Sequence, residues 1–380
     1  MDKKAIHRPT YIEIDLEAIS ENYKAIKSVL DDQKILWVLK ANAYGHGLIR
    51  IAQHLESLGA DYFGVAYLEE GISLRENDIK SPILVLGGIS GYQLPQFISY
   101  DLTITASSVD KLHQIDECAE SMSQTAKVHL NIDTGMERIG VHHYNAGKLI
   151  AAAKEVKHCM IEGIYTHMAN ADLENDQYTS IQKERFDAVL KTVEDLSLDI
   201  PIIHAANSAT ALKEPSLRFD MVRCGLLLYG LYPNPLLRNH ISLRPALSWK
   251  SRVVFFKVIP EKTPISYGGN WTSDQMTRIV TLPVGYGDGY MRALSNKAQV
   301  IIRGEVHPVV GNISMDQMMV DIAWGTAYND DEVILIGRQG DHEISVDDLA
   351  AWANTISYEI LTNINNRVPR VYRCGHEQST

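Results

Sequence analysis

The chain of 380 residues and 42.5 kDa is long enough to bury a large core, and its length suggests two or three domains unless one is a large α/β barrel. A formal net charge of -11, without a concentrated basic segment, excludes nucleic acids and anionic membranes as expected partners. No apolar run approaches the roughly 20 residues of a membrane span, and residues 1–9 lack the apolar segment of a signal peptide, so we expect a cytoplasmic protein.

Cysteine and histidine usage predicts neither a disulfide framework nor a metal site. The four cysteines lie far apart and are expected to be free thiols. They are Cys118, Cys159, Cys224 and Cys374. Among 14 histidines only His142 and His143 are adjacent, and no His-Glu-x-x-His motif occurs. We therefore expect no bound metal.

The first two-thirds of the chain predict an α/β fold. A helix is expected after Asp15 as its N-terminal cap, with apolar residues at helical spacing. These are Leu16, Ile19, Tyr23, Ile26 and Leu30. Beyond it, eight short β-branched runs alternate with helical patterns: Ile35–Leu39, Tyr62–Ala66, Ile83–Leu86, Leu102–Thr105, Lys127–Ile132, Ile161–Thr166, Ile202–His204 and Met221–Arg223. Eight βα units favour a closed (β/α)8 TIM-type barrel over an open doubly wound sheet.

The last third predicts a separate, mainly-β domain. Closely spaced strand-like runs with glycine turns follow Pro245: Arg252–Val258, Arg278–Pro283, Gln299–Ile302, Val306–Val310, Gln317–Ile322 and Glu332–Ile336. One helix is expected within it, begun by Ser345 with Asp348 as a capping box. The proline-containing segment Asn234–Arg244 is the predicted linker. We therefore expect a barrel domain over 1–240, including the N-terminal lead-in, and a β domain over 241–380.

A single lysine ends the first predicted barrel strand. Lys40 follows an apolar run and precedes the glycine-rich turn Ala41–Gly47. At the carboxyl end of a buried strand its ammonium is partly desolvated and able to lose its proton. Such a lysine can form a Schiff base with an aldehyde cofactor. The alternative is a lysine that caps the strand and extends to water.

Further polar residues follow the ends of later strands, where function gathers in this type of barrel. They are Asn131, Arg138, His167, His204, Asn207, Ser208, Arg223 and Gly225. The loops after strands seven and eight commonly bind a phosphate, and they hold small residues, a hydroxyl and Gly225. The residues alone are equally consistent with an Asn/Ser helix cap and a turn glycine.

Several segments resemble the alanine racemases, in the same order along almost the whole chain. Val38–Gly47 resembles their pyridoxal-phosphate attachment motif. The other segments are Asp133–Arg138, Met221–Gly225, Ser266–Gly269 and Ser314–Gln317. The resemblance implies a pyridoxal 5'-phosphate enzyme whose cofactor contacts are Lys40, Tyr44, Leu86, His167, Asn207, Ser208, Arg223, Gly225, Leu226 and Tyr358.

The resemblance places Arg223 at the pyridine nitrogen of the cofactor. A carboxylate there would keep the ring protonated and make it a deep electron sink. An arginine cannot give up its proton, so the nitrogen stays unprotonated and the sink is shallow. This favours proton removal and return, and it disfavours a decarboxylase. Without this context, a lone arginine after a strand would be read as a surface ion pair.

Racemisation needs acid/base groups on both faces of one carbon. Lys40 can serve one face, and the resemblance assigns Tyr267 to the other. Because a free phenol titrates near ~10, Tyr267 needs a positive hydrogen-bond network, which His167 and Arg223 can provide. In this family the tyrosine comes from the partner subunit, so a homodimer with shared sites is expected. The alternative for Tyr267 is ordinary packing.

The substrate carboxylate is expected at Arg138, because a guanidinium matches a carboxylate with two donors, and at the backbone around Met315 and Asp316. Met315 is equally consistent with packing. His204 is expected to lie next to the residues that contact the cofactor, without contacting the cofactor itself. Tyr286 and Tyr358 are expected to narrow the pocket for a small substrate. The family commonly has a carbamylated lysine where Asn131 stands, so Arg138 must be oriented otherwise, and a bound chloride is one hypothesis.

These observations predict an alanine racemase that supplies D-alanine for peptidoglycan synthesis. Asn131 leaves open a broader or serine-preferring racemase of the same superfamily. A barrel protein that binds pyridoxal phosphate without turnover is a non-enzymatic alternative, against which the β domain and Tyr267 argue.

Overall fold

The structure, a computed structural model, describes residues 7–173 and 177–374. Two compact units divide the chain, and the division is discontinuous in sequence. Residues 18–43 and 48–245 form the first unit, and residues 7–17, 44–47 and 246–374 belong to the second.

The first unit is a parallel barrel with helices, as the sequence predicted. Its eight strands are Lys34–Val38, Tyr62–Val65, Ile83–Val85, Thr103–Ala106, Ala126–Asp133, Cys159–Tyr165, Ile202–His204 and Met221–Cys224. Strands one to seven pair in parallel in that order, and strand eight pairs with strand one. Strands seven and eight are joined by main-chain bonds from Asp220 to Ile203 and from Arg223 to Ala206, at 3.0 and 2.9 Å. The ring is thus nearly closed, and its strands end at one mouth.

Helices follow the barrel strands, as in other (β/α)8 folds. They are Leu48–Ser57, Leu68–Glu76, Leu94–Ser99, Val109–Ser121, Ala146–Glu155, Tyr178–Asp195 and Ser208–Lys213. The predicted first helix is present over Leu16–Ser28, and the Asp15 carboxylate accepts from the Glu17 N–H at 2.9 Å. Its apolar face is buried at Ile19 and Ile26, which confirms the helical spacing. No helix among the described residues is both long and apolar enough to span a membrane.

The second unit is mainly β, as predicted. Its ten-stranded sheet comprises Tyr11–Asp15, Leu247–Arg252, Phe255–Ile259, Thr277–Leu282, Gln299–Ile302, Glu305–Val310, Met318–Asp321, Glu332–Gln339, His342–Ile344 and Arg370–Arg373. Two short strands, Pro264–Ile265 and Trp271–Thr272, pair separately. The strand predicted over 252–258 corresponds to Phe255–Ile259, which lies at the edge of the sheet. The strand Leu247–Arg252 before it, which pairs with Glu332–Gln339 and with the N-terminal strand, was not predicted.

The N-terminal strand was not predicted. Tyr11–Asp15 pairs antiparallel with the strand Leu247–Arg252 and parallel with the strand Arg370–Arg373. The sequence predicts this lead-in as part of the barrel domain, which is wrong for the strand Tyr11–Asp15, because its strand partners lie in the second unit. The boundary between 240 and 241 stays a prediction, since the observed division is discontinuous.

Two helices lie in the second unit. Val346–Ala353 begins at Ser345, whose hydroxyl accepts from the Asp348 N–H at 3.0 Å, so the predicted capping box is confirmed. Ser357–Asn363 was missed. It has Ile356 at its N-terminus without a side-chain cap, and its seven residues are too few to show a periodic pattern.

The N-terminal strand is expected to stabilise the second unit through Ile12, which is fully buried between its two partner strands. Ile12→Val should lower the free energy of unfolding by about 0.5–1.5 kcal/mol and Ile12→Ala by about 2–5 kcal/mol. Denaturant unfolding of the purified variants measures both. Lys24→Ala, at an exposed helix position, is the control and should stay within about 0.5 kcal/mol of the native protein. Equal stability of all three would show that the strand is dispensable.

Candidate active site

Lys40 stands at the start of a left-handed turn. The strand before it is buried from Ile35 to Val38. The next four residues, Ala41, Asn42, Ala43 and Tyr44, have φ angles of 54°, 56°, 52° and 50°. Such a conformation costs residues other than glycine roughly 1–2 kcal/mol each, and it is found where surrounding contacts over-determine the backbone.

Hydrogen bonds within the barrel unit hold this turn. The Glu70 carboxylate accepts from the Ala41 N–H at 2.7 Å and, with its other oxygen, from the Ala66 N–H at 2.8 Å. The Asn42 side chain accepts from the Leu48 N–H at 2.8 Å. The Ala43 N–H donates to the Leu39 carbonyl at 2.7 Å. The turn therefore fixes the backbone on both sides of Lys40.

The Lys40 amine is easier to deprotonate than an ordinary lysine. Burial lowers its pKa, and the positive charges of Arg138 and Arg223 lower it further, while Glu70 acts in the opposite direction. Lys40 is half-buried at the end of barrel strand one, in keeping with the predicted partial desolvation. Two of the predicted site arginines are close enough to affect it.

Arg223 is buried in the barrel mouth, not exposed in a surface ion pair. Its guanidinium donates to the carbonyls of Thr166 and Ala205, both at 2.8 Å. It also donates to Nδ1 of His167 at 3.1 Å and to Nδ1 of His204 at 3.0 Å. Burial lowers the pKa of Arg223 to about 10, so it is still a cation at neutral pH.

Both histidines beside Arg223 are neutral. Burial, and after it the charge of Arg223, lowers the pKa of His167 and of His204 well below its usual value. Because a guanidinium only donates, Nδ1 of each ring must accept, and the ring proton lies on Nε2. The positive charge of the network expected around the second base is therefore carried by Arg223, with His167 as a neutral relay.

The loop that carries Arg138 is organised by a single carboxylate. Asp133 accepts main-chain N–H bonds from Gly135, Met136, Glu137 and Arg138 at 2.8–3.2 Å. The backbone has φ of 143° at Gly135 and 52° at Glu137. Because both carboxylate oxygens of Asp133 accept from main-chain N–H groups, this side chain fixes the path of the loop.

Asn131 lies in barrel strand five and is 5% exposed. Burial, the larger effect, raises the pKa of the buried Tyr165 phenol, and Asn131 is one of the groups that lower it. Leu86, predicted as the last residue of strand three, directly follows that strand, which ends at Val85.

The two predicted phosphate loops lie side by side. The Ser208 hydroxyl accepts from the Gly225 N–H at 3.0 Å and so joins the loops after strands seven and eight. Asn207 caps the short helix Ser208–Lys213 by accepting from the N–H groups of Ala209 and Thr210, at 3.1 and 3.0 Å. Asn207 therefore forms the helix cap that the sequence offered as an alternative. Leu226 continues the second loop as a buried residue.

The remaining predicted residues lie in the second unit. Tyr267 is 75% exposed, and its carbonyl accepts from the Asn312 side chain at 2.7 Å. The loops of Tyr286 and Met315 are paired, because the Tyr286 N–H donates to the Ser314 carbonyl at 3.0 Å. Arg367 ties them further, donating to the Asp316 carboxylate at 2.7 Å.

Tyr44 and Tyr358 also come together in the second unit, with ring centroids 5.9 Å apart. Burial, followed by the nearby Tyr358 phenol, raises the pKa of Tyr44 well above its usual value. Tyr44 is therefore a neutral hydrogen-bonding phenol at any physiological pH.

Sequence reasoning missed two charged residues that support the site loops. The Glu70 carboxylate accepts from the Ala41 N–H, and the Arg367 guanidinium donates to Asp316. Nothing in the local sequence indicates either contact. Asp133 could have been found, since Asp followed by Thr-Gly is typical of a side chain that caps its own loop. Within the described part of the chain, no group of three His, Cys, Asp or Glu side chains is placed to hold a metal ion.

The fold and the site define a two-domain enzyme built on a TIM-type barrel. The family model "Alanine racemase, N-terminal domain" matches residues 14–233, and "Alanine racemase, C-terminal domain" matches residues 246–372. The alanine racemase of Halothermothrix orenii is 42% identical over 375 residues, covering 97% of this chain and 98% of that protein. The alanine racemase of Methanococcus maripaludis is 38% identical, covering 97% of this chain and 99% of that protein.

Solved structures agree with these matches. The alanine racemase of Clostridium difficile 630 superposes with a TM-score of 0.92 at 38% identity, covering 97% of this chain and 96% of that one. The Bacillus anthracis alanine racemase with bound L-Ala-P gives 0.92 at 34% identity, with the same coverage. The chain belongs to the alanine racemase family.

The groups around Lys40 predict opposite pKa changes in two variants. Arg138→Gln removes a repelling positive charge and should raise the pKa of Lys40, whereas Glu70→Gln removes an attracting negative charge and should lower it further. The pH dependence of Lys40 acylation in cofactor-free protein, followed by mass spectrometry, measures both. Arg185→Gln is the control, because Arg185 donates to the Thr134 carbonyl and is not among the charges acting on Lys40. Shifts of the same sign in both variants would contradict this electrostatic account.

Proposed function

We propose that this protein interconverts L-alanine and D-alanine with pyridoxal 5'-phosphate attached to Lys40. The observation that carries the proposal is the buried Lys40 amine, whose pKa is lowered next to the buried cation Arg223. A lysine must be unprotonated to react with an aldehyde. The membership in the alanine racemase family supports the same reaction and the same cofactor.

The residues at the barrel mouth fit this cofactor. A reactive amine, two loops joined through Ser208 and Gly225, and a buried guanidinium match its aldehyde, phosphate and ring nitrogen. When bound, pyridoxal phosphate supplies an electron-withdrawing ring that acidifies the Cα–H of an attached amino acid. Asn207 holds the helix start at the phosphate end, and Tyr44 and Tyr358 are proposed, on the resemblance, to donate to the same phosphate.

Arg223 would set the type of reaction. Its four protein acceptors already hold it, and as a donor it leaves a facing ring nitrogen unprotonated. The withdrawal of charge from Cα is then limited, which favours return of the proton over loss of carbon dioxide. His167 and His204 stay neutral beside it and add no competing charge.

Two bases would move the proton. Lys40 Nζ accepts or returns it on one face of Cα, and Tyr267 Oη does so on the other. Tyr267 is exposed on its own chain, in keeping with a residue that serves a partner subunit. We therefore propose a homodimer in which each site takes its lysine from one protomer and its tyrosine from the other.

The substrate carboxylate would bind Arg138, and on the resemblance we propose the backbone of Met315 and Asp316 as a further contact. Asn131 cannot carry a negative carbamate, and an anion such as chloride is proposed to supply that charge near Arg138. D-alanine made in this way would serve peptidoglycan synthesis in the cytoplasm.

The first test is appearance of the opposite enantiomer from L-alanine and, separately, from L-serine, with protein loaded with pyridoxal phosphate. Fast alanine turnover that is lost in Lys40→Ala supports the proposal, because the variant has neither the attachment amine nor the first base. A serine rate equal to or above the alanine rate would instead identify a broader racemase. No turnover despite a Lys40-linked cofactor absorbance would leave a binding protein as the better account.

Shared sites predict complementation between two inactive variants. In a refolded equimolar mixture of Lys40→Ala and Tyr267→Phe, half the dimers are mixed, and each mixed dimer has one intact site of two. The mixture should therefore recover about one quarter of the native activity, while each variant alone stays nearly inactive. A site built within one chain would give no recovery. Tyr92→Phe, at another highly exposed tyrosine, is the matched control and should keep full activity.

A further inference from the structure

A polar chain crosses the barrel interior from Arg223 to Glu162. The Arg223 guanidinium donates to Nδ1 of His204 at 3.0 Å, and Nε2 of His204 lies 2.9 Å from Nδ1 of His129. Nε2 of His129 lies 3.3 Å from the Glu162 carboxylate, to which the Tyr62 hydroxyl donates at 2.7 Å. His129 and His204 are fully buried, whereas 21% of the Glu162 side chain is exposed.

The backbone is shaped to allow this chain. Between strands five and six, Val128 pairs with Ile161 but His129 pairs with Gly163, so Glu162 is the extra residue of a register shift. Such a shift re-aims a side chain and is frequent beside active sites. A Cβ on Gly163 would lie 2.6 Å from the His129 ring, so glycine is required for the imidazole to fit.

The direction of the hydrogen bonds follows from the chemistry of Arg223 and Glu162, the two ends of this polar chain. Arg223 has donors only, so Nδ1 of His204 accepts and its Nε2–H donates to Nδ1 of His129. His129 must then carry its own proton on Nε2 and donate it to Glu162. Both rings are therefore held as the Nε2–H tautomer, and every donor in the chain has an acceptor.

The charges at the two ends are opposite. Burial alone would raise the pKa of Glu162, but hydrogen bonds from His129 and Tyr62 lower it to about 2, so it is an anion. Burial lowers the pKa of His129 although Glu162 opposes this, and it lowers that of His204 still more. The other charge acting on Glu162 is Lys127, which is itself paired with Asp101 at 2.8 Å. Two neutral imidazoles thus connect a buried cation to an anion near the far end of the barrel.

We propose that Glu162 is a positioning residue, which acts on Arg223 through these two imidazoles. Its carboxylate fixes the direction of the chain and supplies the counter-charge that keeps the guanidinium at the barrel mouth. The role rests on the proposed function, because only a bound pyridine ring makes the position of Arg223 matter for turnover.

The direction is tested on the native protein, with variants used only to assign its signals. In protein loaded with pyridoxal phosphate and labelled with ¹⁵N-histidine, the rings of His129 and His204 should give the signals of neutral Nε2–H tautomers and should not titrate between pH 5 and 8. His129→Gln and His204→Gln assign the two signals. An Nδ1–H tautomer or an imidazolium at either position would overturn the proposal.

The counter-charge is tested with Glu162→Gln, which keeps an acceptor for His129 but removes the charge. We expect kcat to fall about 10-fold, with KM within about twofold, as is typical when an outer hydrogen-bond partner is lost. The visible absorbance band of the bound cofactor should shift as well. Unchanged kcat together with an unshifted band would overturn the proposal.

Val128→Ala is the matched control for lost stability. Val128 precedes His129 in strand five, is fully buried, and points to the opposite face of the strand. It should lower the melting temperature and leave kcat and the absorbance band unchanged. If it reproduces the Glu162→Gln changes, the role of Glu162 is merely structural and the proposal is wrong. Failure of the native protein to racemise any amino acid would refute the proposed function, and the tautomer experiment would still decide the direction of the chain.

Discussion

The burial of one positive charge, on Arg223, governs the interior of the barrel. A buried cation without partners costs several kcal/mol, so each of its donors needs an acceptor. The barrel provides two carbonyls, from Thr166 and Ala205, and two imidazoles. This arrangement explains why polar residues occupy a core that apolar side chains usually fill. It also explains why both neighbouring histidines are neutral, since a second positive charge there would be repelled.

The positive charge of Arg223 also affects the protonation of the Lys40 amine. Arg223 and Arg138 make protonation of Lys40 unfavourable, and burial does so more strongly. The four residues after Lys40 have positive φ angles, so the backbone that positions the amine is strained. Glu70 offsets part of that cost by accepting two main-chain N–H bonds. Backbone strain and the hydrogen bonds that offset it therefore occur together next to Lys40, the residue whose position matters most for the proposed reaction.

The sequence predicted the barrel well because its signals are local. Short β-branched runs between helical patterns gave all eight strands to within two residues, and strand ends alone indicated which polar residues share a mouth. The strand Tyr11–Asp15 could not be found in this way, since its partners lie more than 230 residues away in the chain. The same limit applies to Glu162, whose role depends on a register shift and on the space left by Gly163. Family resemblance, not spacing, supplied the roles of Tyr267 and Met315.

Asn131 brings no negative charge to the barrel mouth. Asp133, two residues after Asn131, already accepts four main-chain N–H bonds and shapes the loop. Among the residues that the structure describes, the Arg138 guanidinium forms no ion pair. The charges of Arg138 and Arg223 therefore repel each other across the mouth, and both disfavour protonation of Lys40. Such a site attracts anions, and a bound phosphate or substrate carboxylate stabilises the two guanidinium cations.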